Sequence, residues 1–174
     1  FCGGGSVFLN IPAKFYVAND QNEWMIKLHK FLYKFKGKRA KFYKEFHSLI
    51  TEYGFSASFL GVNVPEQLKK KYVKTYYARY NKEAYNKAKN DFNKNKNDLM
   101  LLYILLIYGF NHMLRFNNEG NFNLPVGNVD YNANVNRALN DYFDFLENNN
   151  INYTNKDFRT FIRLLSFNEN EFVY

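Results

Sequence analysis

Apolar positions along this chain follow two periods, and the change between them divides it. Phe15-Tyr16-Val17-Ala18 is an unbroken apolar run closed by Asn19-Asp20-Gln21-Asn22, which predicts a short buried strand over about Lys14 to Ala18. Ahead of it, Ser6-Val7-Phe8-Leu9-Asn10 reads as a short helix stopped near Pro12. Beyond Asn22, a helix cap, apolar residues recur at three- and four-residue spacing (Met25, Leu28, Phe31, Leu32, Phe35) until Gly37. A second helix from Ala40 to Tyr53 turns Phe42, Phe46, Leu49 and Ile50 inward and ends at Gly54. Phe55 to Val64 reads as a loop, and Pro65 opens one long helix from Glu66 to about Asn93. A polar joint, Asn93 to Asn97, precedes an apolar helix from Leu99 to Tyr108 that Asp98 can cap. Gly109 to Gly127 is rich in turn residues and predicts irregular structure, with a hairpin around Asn118-Glu119-Gly120-Asn121. Asn132 to Asn148 is helical with Val135, Leu139, Tyr142, Phe143 and Leu146 inward. Ile151 to Tyr153 is a short strand, Lys156 to Leu165 a helix, and Glu171 to Tyr174 the start of a strand. Strands therefore fall only near the two ends, with a large, mostly helical stretch between them.

Composition narrows the partners. The chain has 174 residues, enough for one sizeable core, and a formal net charge of +8 makes a polyanion a plausible partner. AT-rich coding, which favours Lys, Asn, Tyr and Phe, accounts for the raw composition equally well. On the predicted 66–93 helix, lysines alternate with Tyr72, Tyr76, Tyr77, Tyr80 and Tyr85. The bland reading is a solvated face; the functional one gives some of those lysines phosphate contacts. A single cysteine, Cys2, excludes an intrachain disulfide and fits a reducing, cytoplasmic setting. The longest apolar run, Leu99 to Ile107, is about half the roughly 20 residues a membrane span needs, so no membrane partner is expected.

The candidate chemistry starts at Phe1-Cys2-Gly3-Gly4-Gly5-Ser6. Three glycines let backbone approach a ligand, and a helix opening at Ser6 would aim free N–H groups at it. Glycine loop, helix, strand and then Asp20 is the order of a nucleotide site, the carboxylate meeting ribose hydroxyls. Asp20 lies 15 residues past Gly5, against roughly 20 in dinucleotide sites, which argues against NAD. Glu23 reads as a capping or supporting acid. His29, His47 and His112 have no partners at metal spacing, so no metal site is expected.

The segment from Tyr108-Gly109-Phe110-Asn111 through Arg115-Phe116-Asn117 to Phe122-Asn123-Leu124-Pro125-Val126-Gly127, together with FCGGGSVFLN, resembles the Dam-like DNA adenine-N6 methyltransferases. Asn19-Asp20-Gln21-Asn22 resembles that family's acidic second motif, and Lys156-Asp157-Phe158 its adenine-contacting segment. The resemblance covers the chain in order, with Gly37 to Asn97 poorly constrained. It implies an α/β fold: a partial Rossmann-like sheet binding S-adenosyl-L-methionine, with a large, mostly helical target-recognition insert. Residues 1–36 and 132–174 would form the methyltransferase core and 37–131 the recognition region.

The implied cofactor residues are Phe1, Cys2, Gly3, Gly4, Gly5, Ser6, Asp20 and Asp157. The implied contacts to double-stranded DNA are Phe110, Asn111, Met113, Arg115, Asn117 and Pro125. An arginine fork suits guanine O6 and N7, while Phe110 and Asn111 could fill a duplex vacated by an extruded base. Met113 and Pro125 offer apolar contacts to a thymine methyl. A lone arginine among aromatics is more often a surface or stacking residue, Phe110, Phe116 and Phe122 are equally readable as core, and a plain helix-terminal acid fits Asp157. Family targets are often GATC. Many relatives carry a basic residue after Pro-x-Gly, where this chain has Asn128.

The family's Asp-Pro-Pro-Tyr tetrapeptide is absent: the prolines are Pro12, Pro65 and Pro125, none adjacent. Both ends read as cut, so the chain is expected to be an inner piece of a base-flipping methyltransferase, with no catalytic residue of its own and inactive alone. A second chain or segment carrying the tetrapeptide would have to complete it. The alternatives are a DNA-binding remnant that catalyses nothing and an unrelated helical interaction protein.

Overall fold

The computed structural model describes residues 1–166 and 173, and the chain divides into two units. One joins Phe1–Gly37 to Asp141–Tyr174; the other is Lys38–Asn140. The boundaries fall after Gly37 and after Asn140.

In the first unit β1 (Tyr16–Asn19) pairs in parallel with β2 (Ile151–Thr154), in register from Tyr16 opposite Ile151 to Asn19 opposite Thr154. Side chains alternate across a strand, so Tyr16, Ala18, Ile151 and Tyr153 are buried on one face while Val17 and Asn152 stand on the other. The expected fully buried strand is corrected here: Phe15 is 58% and Val17 41% exposed. The strand also starts later than Lys14. The Tyr16 hydroxyl accepts from the Ala13 amide and donates to the Ile11 carbonyl, which folds the preceding chain back. The helix expected at Ser6 to Asn10 is a single 3-10 turn, Phe8–Asn10.

Helix α1 (Glu23–Tyr33) is capped as expected by Asn22, whose side chain accepts from the Trp24 and Met25 amides. Of the expected inward positions Leu28, Leu32 and Phe35 are buried and Met25 and Phe31 half-buried, while Ile26 and His29 join the buried face. The face is wider than expected because His29, polar in sequence, finds partners inside. Helix α6 (Ala133–Asn148) buries Leu139, Phe143 and Leu146, with Val135 and Tyr142 half-buried. A short α7 (Phe158–Arg163) stands where Lys156 to Leu165 was expected. The strand expected at Glu171 to Tyr174 lies outside the described residues.

The second unit is helical: α2 (Arg39–Tyr53), α3 (Glu66–Lys71), α4 (Tyr76–Lys94) and α5 (Leu99–Tyr108). Helix α5 is apolar all round and therefore sits at the centre, burying seven of its residues. Phe42, Phe46 and Ile50 of α2 are each fully buried, and each contributes on the order of 1.5–3 kcal/mol. Helix α4 adds Asn81, Ala84, Tyr85, Ala88 and Phe92, one face at three- and four-residue spacing.

The single long helix expected from Glu66 to Asn93 is in fact two, broken at residues 72–75. Lys70 and Lys74 repel at one-turn spacing, and Val73 and Thr75 are β-branched. The loop at 54–64 is firmly held. Asn81, fully buried, accepts from the Ser56 amide and donates to the Ser56 hydroxyl and the Val129 carbonyl. The Asp130 carboxylate accepts from the Ser58 amide and hydroxyl. Among the described residues no helix is long and apolar enough to cross a membrane.

Candidate functional site

The glycine loop lies at the carboxyl ends of both parallel strands, the edge where open α/β sheets take ligands. The Cys2 amide donates to the Asn19 carbonyl (2.8 Å). Asp20, the first residue past β1, accepts from the Gly3 amide through Oδ2 and from the Asn22 amide through Oδ1, both at 2.9 Å. Asp20 is thus a clamp on the loop, with a second lone pair left on each oxygen. Asn19 crosses to β2: its Oδ1 accepts from the Thr154 hydroxyl and the Lys156 amide, and its Nδ2 donates to the Lys156 carbonyl. Asn155 returns the link by donating to the Asp20 and Gln21 carbonyls.

The loop's own shape comes from Gly5, at φ +92°. A Cβ there would meet the Phe8 ring at 2.8 Å, so a side chain is barred twice over. Gly4 differs: nothing lies within 4 Å of where its Cβ would stand. Ser6 is exposed, and its carbonyl accepts from Asn10 Nδ2. The Cys2 thiol is pushed up to about 11, first by burial and then by Asp20, so it is no nucleophile near neutral pH. Phe1 is largely exposed and its ring lies 6.1 Å from that of Phe158. Asp157 caps α7, accepting from the Arg159 amide.

His29 was missed by sequence reasoning as a loop residue. It is 5% exposed, with Nε2 at 2.8 Å from the Gly3 carbonyl and Nδ1 at 3.2 Å from the Tyr142 hydroxyl. No local signal marks it: the expected apolar positions of this helix were Met25, Leu28, Phe31, Leu32 and Phe35, and the partners that draw His29 inward lie far along the chain. Among the described residues no group of three His, Cys, Asp or Glu side chains could hold a metal.

In the second unit the segment 109–127 is pinned at its base. Phe110 donates to the Pro125 carbonyl (2.9 Å) and Gly127 to the Tyr108 carbonyl (2.8 Å). Between these points the chain turns through Asn111 and His112 at φ 53° and 52°, a left-handed conformation that is uncommon outside glycine and that Asn and His adopt more readily than most residues. The turn presents Phe110 (49% exposed), Asn111 and Met113 (45%) to solvent. Arg115 and Pro125 are exposed too. The Arg115 fork is oriented by Asn123, which takes Nε on its side chain (3.0 Å) and Nη2 on its carbonyl (2.6 Å), while the fork's three other N–H donors make no hydrogen bond among the described residues.

Asn117 is a turn former, its side chain accepting from the Glu119 and Asn121 amides. Phe116 faces Phe122 across the expected hairpin. Phe122 is core, packed against Phe92 and held by Asn93 at both its amide and its carbonyl. Asn128 caps the start of α4 by accepting from the Ala78 amide (3.1 Å). A groove of about 710 Å3 beside α2 and the start of α5, lined by Lys41, Lys44 and Asp98 among others, contains none of the expected site residues.

The first unit thus carries a clamped glycine loop at the carboxyl edge of a parallel strand pair, and the second a pinned, exposed loop bearing Phe110, Asn111 and Met113. The chain belongs to the D12 class N6 adenine-specific DNA methyltransferase family, whose model matches residues 1–174. It is 26% identical across its full length to modification methylase StsI of Streptococcus sanguinis and, equally, to type II methyltransferase M.FokI of Planomicrobium okeanokoites. It is 32% identical over 95 residues to modification methylase LlaI of Lactococcus lactis subsp. lactis, which covers 52% of the chain. The chain spans 23% of the length of the first two and 15% of the third.

Proposed function

We propose that this chain supplies the S-adenosyl-L-methionine loop and the DNA-reading segment of a site-specific adenine-N6 methyltransferase. The observation that carries the reading is the Asp20 clamp, which fixes Gly3 while leaving the space over Gly4 open. In the proposal the two strands belong to a Rossmann-like sheet, Phe1 and Phe158 offer a flat apolar surface for the adenine, and the free lone pairs of Asp20 accept from ribose hydroxyls. Asp157 holds Phe158 in place by capping α7. When bound, the cofactor would supply an electrophilic methyl on its sulfur, and the loop residues named here would hold and orient it.

In the same proposal, residues 38–140 read duplex DNA. Phe110 and Asn111, held in their turn, occupy the gap left by a flipped adenine, and Arg115 offers its remaining donors to a neighbouring guanine. Met113 and Pro125 take thymine methyls, and Asn117 shapes the hairpin. A GATC duplex is the first target to test.

The experiment is equilibrium dialysis of methyl-labelled S-adenosyl-L-methionine, with duplex binding by fluorescence anisotropy. Gly4→Ala adds a methyl that touches no protein atom at an ordinary φ, so its melting temperature stays at the wild-type value while cofactor affinity falls about tenfold or more, the loss of roughly 1.4 kcal/mol. Equal affinities would take the loop out of the site. Arg115→Ala is expected to lose roughly 1–3 kcal/mol of preference for GATC over a scrambled duplex. An equal loss on both duplexes would make Arg115 a phosphate contact.

A further inference from the structure

We propose that His29 is a positioning residue for the methyl-donor loop, its neutral imidazole holding the Gly3 carbonyl while Asp20 holds the Gly3 amide. The loop's ligand is taken from the function proposed above; the latch itself is geometric. A carbonyl can only accept, so the short contact at 2.8 Å requires the proton on Nε2. Nδ1 is then bare and accepts from the Tyr142 hydroxyl of α6 at 3.2 Å.

Two aromatic rings flank the imidazole. Tyr153 of β2 stacks on it at 5.2 Å and 11°, and Phe8 meets it edge-on at 5.8 Å. One peptide unit of the loop is therefore held from both sides, by a carboxylate and by an imidazole.

The latch depends on protonation. Burial holds His29 below the ordinary 6.5; the Gly3 carbonyl and, more weakly, the Asp20 carboxylate pull the other way. The other ionisable groups nearby, Cys2 and Tyr153, are pushed up to about 11 and about 12 and carry no charge near neutral pH. A second proton would turn Nδ1 into a donor facing a hydroxyl already donating to it, and would bury a charge. The loop should loosen as pH falls below 6.5.

Hydrogen exchange of the Gly3 and Gly5 amides, corrected for intrinsic rate, reads the latch without any ligand. In the wild-type chain, exchange at both should rise as pH falls from 7.5 through 6.5 and go on rising until the lowered folded value is passed, while the Ala18 amide stays protected. H29Q keeps an N–H near the Nε2 position and cannot titrate, so its loop should stay protected and flat across that range. H29F should show fast loop exchange at every pH. Cofactor dialysis in the same buffers should follow the exchange.

Gly3 and Gly5 exchange in H29F equal to wild type would overturn the latch. So would a pH dependence that persists in H29Q, which decides the matter where H29F fails to fold. Loop exchange as described with no cofactor bound by the wild type would keep the latch and sink the cofactor reading. Cofactor binding with exchange unmoved by H29F would do the reverse.

Discussion

At the scale of single residues, glycines identical in sequence do different work. A Cβ on Gly127 would stand 2.7 Å from the Gly109 carbonyl oxygen, and one on Gly109 would run into a Leu124 methyl and stand 2.7 Å from the Leu105 carbonyl. Backbone cannot retreat the way a side-chain tip can. Gly127→Ala should therefore destabilise the chain by about 1–3 kcal/mol, read as a lower urea midpoint at unchanged slope. The two glycines close the base of the 109–127 loop by close approach, and no reading of a motif could foresee that. Asp20 makes the same point. Its place in the order of glycine loop, helix, strand and acid marked it as a site residue, yet two of its acceptor positions are spent on the Gly3 and Asn22 amides, which makes its first role that of a fastener.

Among the elements, the helix starts capped by neighbouring side chains were the ones legible in sequence. Asn22, Asp98 and Asp157 each lie within three residues of the amide they accept from, so a local pattern announces them. The start of α4 was hidden because its own N-terminal residue, Thr75, makes no side-chain cap. The acceptor comes instead from Asn128, 50 residues later. Losing it in Asn128→Ala should cost about 1 kcal/mol, with faster amide exchange confined to Tyr76, Tyr77 and Ala78. A wild-type exchange pattern there would remove Asn128 from the cap. The burial errors share this cause. Whether His29 faces in, or Val17 out, is decided by partners more than a hundred residues away in β2 and α6, and local periodicity carries no trace of them.

Across the whole molecule, both units respond to acid in the same direction. His29 in one unit and His47 in the other are held below 6.5 by burial, His29 the more strongly enclosed. The unfolded chain binds a proton on each near 6.5 that the folded chain refuses. Stability is therefore full above that value, falls as pH drops through and below it, and levels off once the folded imidazoles also protonate. The chain already carries a formal +8, so each added proton also meets self-repulsion. On the alkaline side Cys2, Tyr53, Tyr77 and Tyr153 have folded values raised to about 11 or 12, chiefly by burial. Their contribution is complete below their ordinary values and is lost as pH rises toward the folded ones. Thermal melts from pH 5 to 11 should trace a plateau from about 7 to 9 with a decline on either side. In H29Q the acid decline should shrink to the part due to His47 and net charge. An acid limb of undiminished depth in that variant would mean that the imidazole beneath the glycine loop is not the group the folded chain keeps neutral.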